Sequence, residues 1–555
     1  MATQPIAISE DADAGASPPL VDVSRQAPWP GAARARAGMW LPLLFTLGLA
    51  ACALFTSVRQ HTALVWAVLG AAVALASWNM VLFVGAARRG RTLTWEFIPR
   101  RQHYLQACAQ GTVLLYWGWY WRPVYDAAPL ILAQLLFAFA FDMLLAWTRR
   151  DTYALGFGPF PVVFSINLFL WFRPEWFALQ LLMIAVGFAA KELLRWQRDG
   201  RTVHIFNPSS FPLALFSVAL LVAGASGVTR GQDIAVTQFY PPHMYLVLFL
   251  VGLPGQLLFG VTSMTLSAVA TTYLFGLGYF LATGTYFFYD SYIPIAVFLG
   301  MHLLFTDPST SPRTELGRII FGVLYGSSSV ALYAILTAAG LPTFYDKLLQ
   351  VPLLNLCVRA IDRLTSAPLL RIFDPARLGP TFRARQRHLA YMTVWAVTFT
   401  VMSAVQGVGD DHPGQWLPFW ERACDAGHPR ACRYRDDLQV ILCQAGAGWA
   451  CNEAGRMVAA ARDLSGGRLD PREAGTLFER GCRLRFVPAC RNATRLNGGA
   501  AGFETAPPTP VDYVVLLRGS KGPITDRTPA ALAARACRQG WPETCASADG
   551  ATGDR

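Results

Sequence analysis

Eight of the eleven cysteines lie in the last third of the chain, in four pairs that each enclose seven residues. Disulfides persist only in an oxidising compartment, so this spacing, repeated four times, predicts a disulfide-stapled repeat domain outside the cytoplasm. Zinc is the rival chemistry, but its ligand motifs use shorter spacings. The pairs are Cys424 with Cys432, Cys443 with Cys451, Cys482 with Cys490, and Cys537 with Cys545.

Three polar turns interrupt the long apolar part of the chain that precedes these cysteines. They are residues 204–210 (HIFNPSS), 226–229 (SGVT) and 306–312 (TDPSTSP). Asn-Pro and Asp-Pro start turns, and the hydroxyls that follow can cap the next helix. An ordinary loop and helix start is the simpler interpretation of the first turn. A polar ligand site is the alternative for the third, because polar groups at a membrane boundary are often functional.

Other side chains inside apolar segments have the same two interpretations. Glu192, Asp142 and His302 are ionisable groups that are expensive in lipid, and they are either functional or structurally paired within the bundle. Two aromatic runs, residues 116–121 and 286–289, could form the flat wall of a cofactor site. We favour interfacial aromatic belts for both, because they fall at predicted membrane-segment ends.

Composition places these motifs in a membrane protein. The chain has 555 residues, of which 54% are hydrophobic and only 15% charged, and this excludes an ordinary soluble enzyme. A net charge of +12 would suggest nucleic acid for a soluble protein. Here the arginines cluster between apolar segments, as in cytoplasmic loops, so we predict no nucleic-acid partner. Thirteen candidate spans between residues 39 and 406 put the N-terminus in the cytoplasm if the basic loops are inside.

The segment 343–361 decides the orientation of the tail, because it contains Asp346 and Lys347 and is weakly apolar. If it did not cross, the arginine-rich stretch after it would lie outside and the cysteines inside. The first contradicts the preference of basic loops for the cytoplasm, and the second contradicts the need of disulfides for an oxidising compartment. We therefore predict that it crosses. The fold expected is all-α, a polytopic transmembrane bundle of about 11–13 spans with a periplasmic α/α repeat domain.

The domain boundaries follow from these assignments. We predict a disordered cytoplasmic leader at 1–37, a transmembrane domain at 38–365 and a basic cytoplasmic loop at 366–387. A final transmembrane helix at 388–406 then leads to a periplasmic cysteine-rich domain at 407–555. The expected location is a bacterial inner membrane.

Residues 100–365 resemble the NqrB/RnfD family of integral-membrane flavin proteins, which belong to the sodium-translocating NADH:quinone oxidoreductase and to the Rnf electron-transport complex. The resemblance lies in the order Gly187, Lys191-Glu192, the Phe-Asn-Pro turn, an outward loop, Gly300, the Thr-Asp-Pro turn, Gly317 and Phe321-Gly322. It implies an electron-transport subunit of a membrane oxidoreductase. The donor, the acceptor (a quinone or a periplasmic carrier) and any coupled ion stay open.

The resemblance also implies cofactor-binding residues. In that family a threonine of an outward Ser/Asp-Gly-Ala-Thr motif carries FMN through a phosphoester, and riboflavin can bind elsewhere. The corresponding residues here are Ser226 and Thr229, with Val228 in place of the alanine. The alternative is a non-covalent flavin between the Asn-Pro and Thr-Asp-Pro turns. Its expected ligands are Asn207, Thr306, Asp307 and Thr310.

The tail resembles the cysteine-rich branch of Sel-like helical repeats. Residues 419–424 (FWERAC) and 477–482 (LFERGC) are near copies, and each is followed by a turn and Ala-Cys. The resemblance implies that each cysteine pair clips two antiparallel helices and that the repeats bind other electron-transport subunits or a periplasmic protein. A transporter-like or scaffold protein without flavin, and an assembly factor acting through the tail, are the competing functions.

Overall fold

A computed structural model of the chain describes residues 36–198, 200–288, 291–377, 384–405, 408, 412–464, 471–497, 502–517, 524 and 526–545. The predicted leader lies outside the described residues except for its last two, and part of the basic loop does also. The described part is mostly helical, as expected. Five helices are long and apolar enough to cross a membrane, which is consistent with a membrane protein. The finer count of thirteen spans stays a prediction.

The five long apolar helical stretches are Thr62–Arg88, Ala128–Arg149, Pro174–Leu193, Thr262–Thr283 and Glu315–Ala338. The helices of residues 41–404 are α1 (Leu41–Ala51), α2 (Thr56–Arg59), α3 (Thr62–Arg88), α4 (Arg101–Tyr120), α5 (Pro123–Asp126), α6 (Ala128–Arg149), α7 (Pro159–Asn167), α8 (Phe177–Leu193), α9 (Ser210–Val222), α10 (Gly231–Thr237), α11 (Met244–Phe259), α12 (Thr262–Thr283), α13 (Ile295–Leu303), α14 (Glu315–Ala338), α15 (Gln350–Ser366), α16 (Pro368–Arg371) and α17 (Ala384–Ala404).

Strands are the departure from the expected all-α fold. β1 (Arg36–Ala37), β2 (Thr94–Phe97) and β3 (Thr152–Leu155) form one small sheet, in which β1–β2 is antiparallel and β2–β3 parallel. β4 (Arg195–Arg198) and β5 (Arg201–His204) form a hairpin that leads into the Asn-Pro turn. These short pairs satisfy backbone groups in connections between helices.

Small residues let α12 and α14 pack closely against each other. A Cβ at Gly322 would collide with the Ser267 hydroxyl and the Met264 carbonyl, and one at Gly326 would lie 2.7 Å from the Ala268 carbonyl. Lipid supplies no hydrophobic drive between helices, so close backbone approach at small residues provides the packing energy.

The segment 343–361 runs from one end of the bundle to the other. The Tyr345 hydroxyl donates to Ser226 Oγ at 3.1 Å, beyond the end of α9. Asp362, near the end of α15, accepts a hydrogen bond from Arg198, on the opposite side of α9. We call the end that holds Arg198 and Arg318 the arginine end. Residues 346–349 are not helical and the helix itself begins at Gln350, and the crossing of a membrane by this segment stays a prediction.

The tail contains α18 (Leu417–Asp425), α19 (Pro429–Gln444), α20 (Gly448–Leu464), α21 (Pro471–Arg483), α22 (Val487–Asn497), α23 (Pro510–Leu516) and α24 (Pro529–Arg538). All four predicted cysteine pairs are confirmed as disulfides, with Cα–Cα distances of 4.5 to 4.8 Å. The first three clip consecutive helices across their turns, and closing such short loops stabilises each hairpin by roughly 2–3 kcal/mol. The bonds join Cys424 to Cys432, Cys443 to Cys451, Cys482 to Cys490, and Cys537 to Cys545.

The tail docks on the bundle through Arg430, at the end opposite the arginine end. Its guanidinium lies 4.5 Å from the Phe287 ring centroid and 5.4 Å from that of Tyr434. It also donates to the Tyr279 hydroxyl at 3.2 Å and to the Phe287 carbonyl. The hydroxyls of Tyr333 and Tyr434 are 2.6 Å apart.

This docking corrects the interpretation of residues 286–289 as a membrane belt. Tyr286, Phe287 and Phe288 are buried, and Tyr289 lies outside the described residues. Tyr286 packs on the rings of His412 and Phe419. These buried aromatic side chains therefore belong to the contact between the bundle and the tail and do not form a lipid-facing belt. In the other run the environments are mixed, since Trp117 is fully buried whereas Trp119 is exposed.

Candidate functional site

The Asn-Pro turn is built around the side chain of Asn207 at the arginine end. Its Oδ1 accepts from the backbone amides of Ser209 and Ser210 at 3.0 and 3.1 Å and so caps the start of α9. Its Nδ2 donates to the Leu304 carbonyl at 3.1 Å. Gly187 on α8 is required here, because a Cβ would collide with the Pro208 carbonyl. The predicted helix start is present, but the prediction that the serine hydroxyls cap it is wrong: Ser209 Oγ donates to Asn207 Oδ1 at 2.8 Å, and the asparagine accepts from the amides instead.

The Thr-Asp-Pro turn is held by its own polar groups. Asp307 Oδ1 accepts from the Ser309 amide at 3.0 Å, and the Asp307 carbonyl accepts from the Ser311 hydroxyl at 2.6 Å. The Thr306 hydroxyl donates to the His302 carbonyl at 3.0 Å. Thr310 Oγ1 lies 3.4 Å from the Asp307 carbonyl. This pattern shapes the turn and leaves one carboxylate oxygen of Asp307 for a partner outside it.

That partner is His204, which ends β5. His204 Nε2 lies 3.3 Å from Asp307 Oδ2, and both side chains are largely buried. Burial by itself raises the pKa of the Asp307 carboxyl. The hydrogen bond and charge of His204, together with the Ser309 amide, outweigh burial, so this pKa lies below its usual value. The carboxylate is therefore the charged form in this turn.

Asn355 on α15 joins the two turns, and sequence reasoning missed it. Its Oδ1 accepts from the Asn207 amide at 3.2 Å, and its Nδ2 donates to the Thr310 carbonyl at 3.2 Å. Nothing local marks this residue, because its role depends on partners 148 and 45 positions away. The two turns that were predicted to share a site are thus brought together.

The joined turns form one side of a cleft, which we call the main cleft. It has an empty volume of about 630 Å³ and opens to solvent at the arginine end. Ionisable side chains line it together with the flat ring of Phe259 and three prolines. The main-cleft residues are Gln102, His103, Gln106, Gly158, Pro161, Val162, Lys191, His204, Asn207, Pro208, Ser209, Phe259, Asp307, Pro308 and Ser309. Nine of these fifteen residues are polar or ionisable, so the cleft is more polar than most small-molecule sites.

A second and much smaller space, the inner cavity, adjoins the main cleft and shares Gln106 and Phe259 with it; its volume of about 20 Å³ is room for about one water. Gln256 and His302 line it, and both are almost fully buried. His302 Nδ1 lies 2.7 Å from the Phe298 carbonyl. His302 Nε2 and both amide atoms of Gln256 have no hydrogen-bond partner among the described residues. Buried polar atoms normally have partners, so these atoms point to a bound molecule or water.

Ser226 and Thr229 lie elsewhere, beyond the other end of α9. That helix has 13 residues and is therefore about 20 Å long. Thr229 is 5% exposed, and its hydroxyl donates to the Ser226 carbonyl at 3.0 Å. The structure therefore divides the six predicted cofactor residues into two groups, one at each end of the bundle.

Two of the three ionisable groups singled out in the apolar segments form hydrogen bonds with other side chains of the bundle. Glu192 accepts from Arg150 at 3.0 Å and from Arg195 at 2.6 Å, with Arg149 at 3.6 Å. Asp142 accepts from the Tyr153 hydroxyl at 2.9 Å. For these two the structural pairing is confirmed, and only His302 of the three faces a cavity.

Comparisons with protein-family models, with curated proteins and with solved structures find no match for this chain. The resemblance to the NqrB/RnfD family, and that of the tail to Sel-like repeats, therefore remain predictions from the residues quoted above.

Proposed function

We propose that this chain is a membrane-embedded electron-transport subunit that binds a flavin, FMN or riboflavin, non-covalently in the main cleft. The observation that carries the proposal is the inner cavity, where buried amide and imidazole atoms without partners among the described residues adjoin the main cleft. An isoalloxazine ring needs flat apolar walls and a few donors and acceptors at its polar edge. The cleft offers the flat ring of Phe259 and several donors and acceptors.

The residues present would hold the cofactor in distinct ways. Phe259 offers a flat apolar wall, while Gln256 and His302 offer a donor and acceptors for a ring edge. Lys191 lies in the outer part of the cleft, where a cation suits a phosphate or an anionic ring. His204 and Asp307 hold the Thr-Asp-Pro turn in place. A bound flavin would supply the electron-transfer chemistry, and the partner that donates or accepts its electrons is a quinone, a periplasmic carrier or another subunit.

The arginines and the disulfides indicate which end of the bundle faces the cytoplasm. Arg195, Arg198, Arg313 and Arg318 lie at one end of the bundle, and the disulfide-bonded tail docks on the other. Basic loops favour the cytoplasm and disulfides favour the periplasm. We therefore place the main cleft on the cytoplasmic side of a bacterial inner membrane and the tail in the periplasm. Covalent FMN at Thr229 would require the loop around this buried hydroxyl to open.

A scaffold without flavin is the second candidate, and one observation favours it. The side chains of Asn207, Thr306 and Thr310 all have hydrogen-bond partners within the protein. They can therefore stabilise the turns without any ligand.

The test is the absorption spectrum of the full-length protein purified from flavin-replete cells, with flavin extracted by denaturation and quantified. We expect a yellow protein that releases its flavin, and a Gln256→Leu variant that folds but loses most of it. Gln60→Leu, at an exposed position, is the matched control and retains the flavin. Flavin that stays attached after denaturation and disappears in Thr229→Val would support the covalent form instead. A colourless wild-type protein would support the scaffold.

A further inference from the structure

A short extended segment of the tail, residues 502–508 (GFETAPP), lies across α20, α21 and α22, and we call it the strap. It follows α22 and leads directly into α23, whose first turn is fixed by a capping box between Thr509 and Asp512. Two consecutive prolines keep its second half extended. The strap is thus anchored at its C-terminal end, Ala506 packs on the core of the tail, and the polar contacts with the repeats lie at Glu504, next to Phe503.

Two buried asparagines clamp the backbone of Glu504. Asn492 Oδ1 accepts from the Glu504 amide at 2.7 Å, and Asn492 Nδ2 donates to the Glu504 carbonyl at 2.9 Å. Asn452 Nδ2 donates to the same carbonyl at 3.1 Å, and Asn452 Oδ1 accepts from Asn492 at 2.8 Å. Both asparagines are completely buried. The clamp binds main-chain atoms, so it does not depend on which side chain this residue carries.

Side-chain contacts on either side of the clamp add selectivity. The Phe503 ring lies 5.2 Å from the ring of Phe478, which is fully buried on α21. The Glu504 carboxylate lies 2.7 Å from Arg491 and 3.8 Å from Arg495 on α22. These ion pairs are partly exposed, so they contribute preference more than affinity. An aromatic residue followed by an acidic one is therefore the sequence that this surface fits.

We propose that α20–α22 form a groove that binds an extended segment of a partner protein, with an aromatic residue followed by an acidic one, and that the strap occupies this groove in cis. Main-chain hydrogen bonds combined with pockets for neighbouring side chains are a general mode of binding extended peptides. An empty clamp would leave two buried amides without these hydrogen bonds, which is unfavourable, so the clamp favours an occupied state. The strap is tethered and competes at high effective concentration, so a partner binds when the strap is released.

The test uses the full-length protein in detergent and a fluorescently labelled peptide with the strap sequence, Gly-Phe-Glu-Thr-Ala-Pro-Pro. The strap variant Phe503→Ala with Glu504→Lys weakens the occupant but leaves the clamp intact. We expect it to bind the peptide at least tenfold more tightly than the wild type does. Adding Asn492→Asp, which removes the amide donor, should abolish this binding. A peptide with lysine in place of glutamate should bind the strap variant several-fold more weakly.

Folding is checked by thermal unfolding and by intact disulfides, and the milder Glu504→Ala variant replaces the double variant if the latter does not fold. A folded strap variant that binds no peptide would overturn the proposal, as would binding that survives Asn492→Asp. A concentration-dependent dimer of the strap variant without peptide binding would also overturn it. That result would assign the groove to exchange of straps between copies.

Discussion

His412 makes the docking of the tail sensitive to acid. The residue lies between α17 and α18 and is only 1% exposed. Its ring packs against Tyr286 and Tyr292 of the bundle, at centroid distances of 4.3 and 5.1 Å. Its Nδ1 accepts from the Gly414 amide at 3.1 Å, so this nitrogen carries no proton in the folded protein. Burial lowers the pKa of His412 to about 3.

The lowered pKa of His412 determines how the stability of the tail changes with pH. An unfolded histidine has a pKa of about 6.5, so the unfolded segment binds a proton first as the pH falls. The contribution of neutral His412 to stability is therefore fully present above that value and is lost progressively between pH 6.5 and about 3. Because pH 4.5 lies roughly two units below 6.5, the free energy of unfolding should be lower there by about 3 kcal/mol. This is a large fraction of the stability of a small domain.

The assay is hydrogen exchange of peptides from residues 412–434 in the full-length protein at pH 7 and pH 4.5, corrected for intrinsic exchange rates. We expect the protection of this region to fall by about two orders of magnitude at the lower pH, relative to His412→Asn, which cannot titrate but keeps an acceptor. Glu421, whose pKa burial and neighbouring carboxylates raise to about 7, cancels in this comparison because both proteins contain it. His61→Asn, at an exposed position, should behave like the wild type. If His412→Asn shows the same pH dependence as the wild type, the reasoning is refuted.

Three further outcomes are expected from the packing. Gly322→Ala forces a Cβ into the α12–α14 contact and should lower the free energy of unfolding by about 1–3 kcal/mol in thermal melts in detergent. The control Gly278→Ala should change little, because a Cβ at Gly278 meets open space. Equal melting temperatures of the two variants would contradict the packing argument. Arg430→Met removes the guanidinium that lies among aromatic rings, and we expect the docking of the tail to lose about 1.5–3 kcal/mol of free energy. Hydrogen exchange at the docking surface should become at least tenfold faster, whereas the exposed control Arg433→Met should not change it. Unchanged exchange in Arg430→Met would show that other contacts hold the tail. Replacing both Cys482 and Cys490, which join α21 to α22, with serine should destabilise the tail by roughly 2–3 kcal/mol in calorimetry, and an unchanged tail transition would contradict that contribution.

Local patterns in the sequence were sufficient for several features. Cysteines with seven intervening residues were enough to predict every disulfide, because the spacing matches one hairpin turn and each bridge is local. Apolar length was enough to predict helices that can cross a membrane. Asn-Pro predicted a helix start, since an asparagine side chain caps amides that follow it directly.

Longer-range features depended on partners that no local pattern reveals. Asn355 joins two turns, and Arg430 converts an expected lipid-facing belt into a docking surface. The expected pairing of the Asn-Pro and Thr-Asp-Pro turns came from a resemblance. The inner cavity and its Gln256, which has no partner among the described residues, appear only when α4, α11 and α13 are packed together. Asn452 and Asn492 likewise have an evident role only with the strap in place. The sequence gives the polarity and size of each side chain. Its hydrogen-bond partners depend on how distant segments pack, so they are known only from the folded structure.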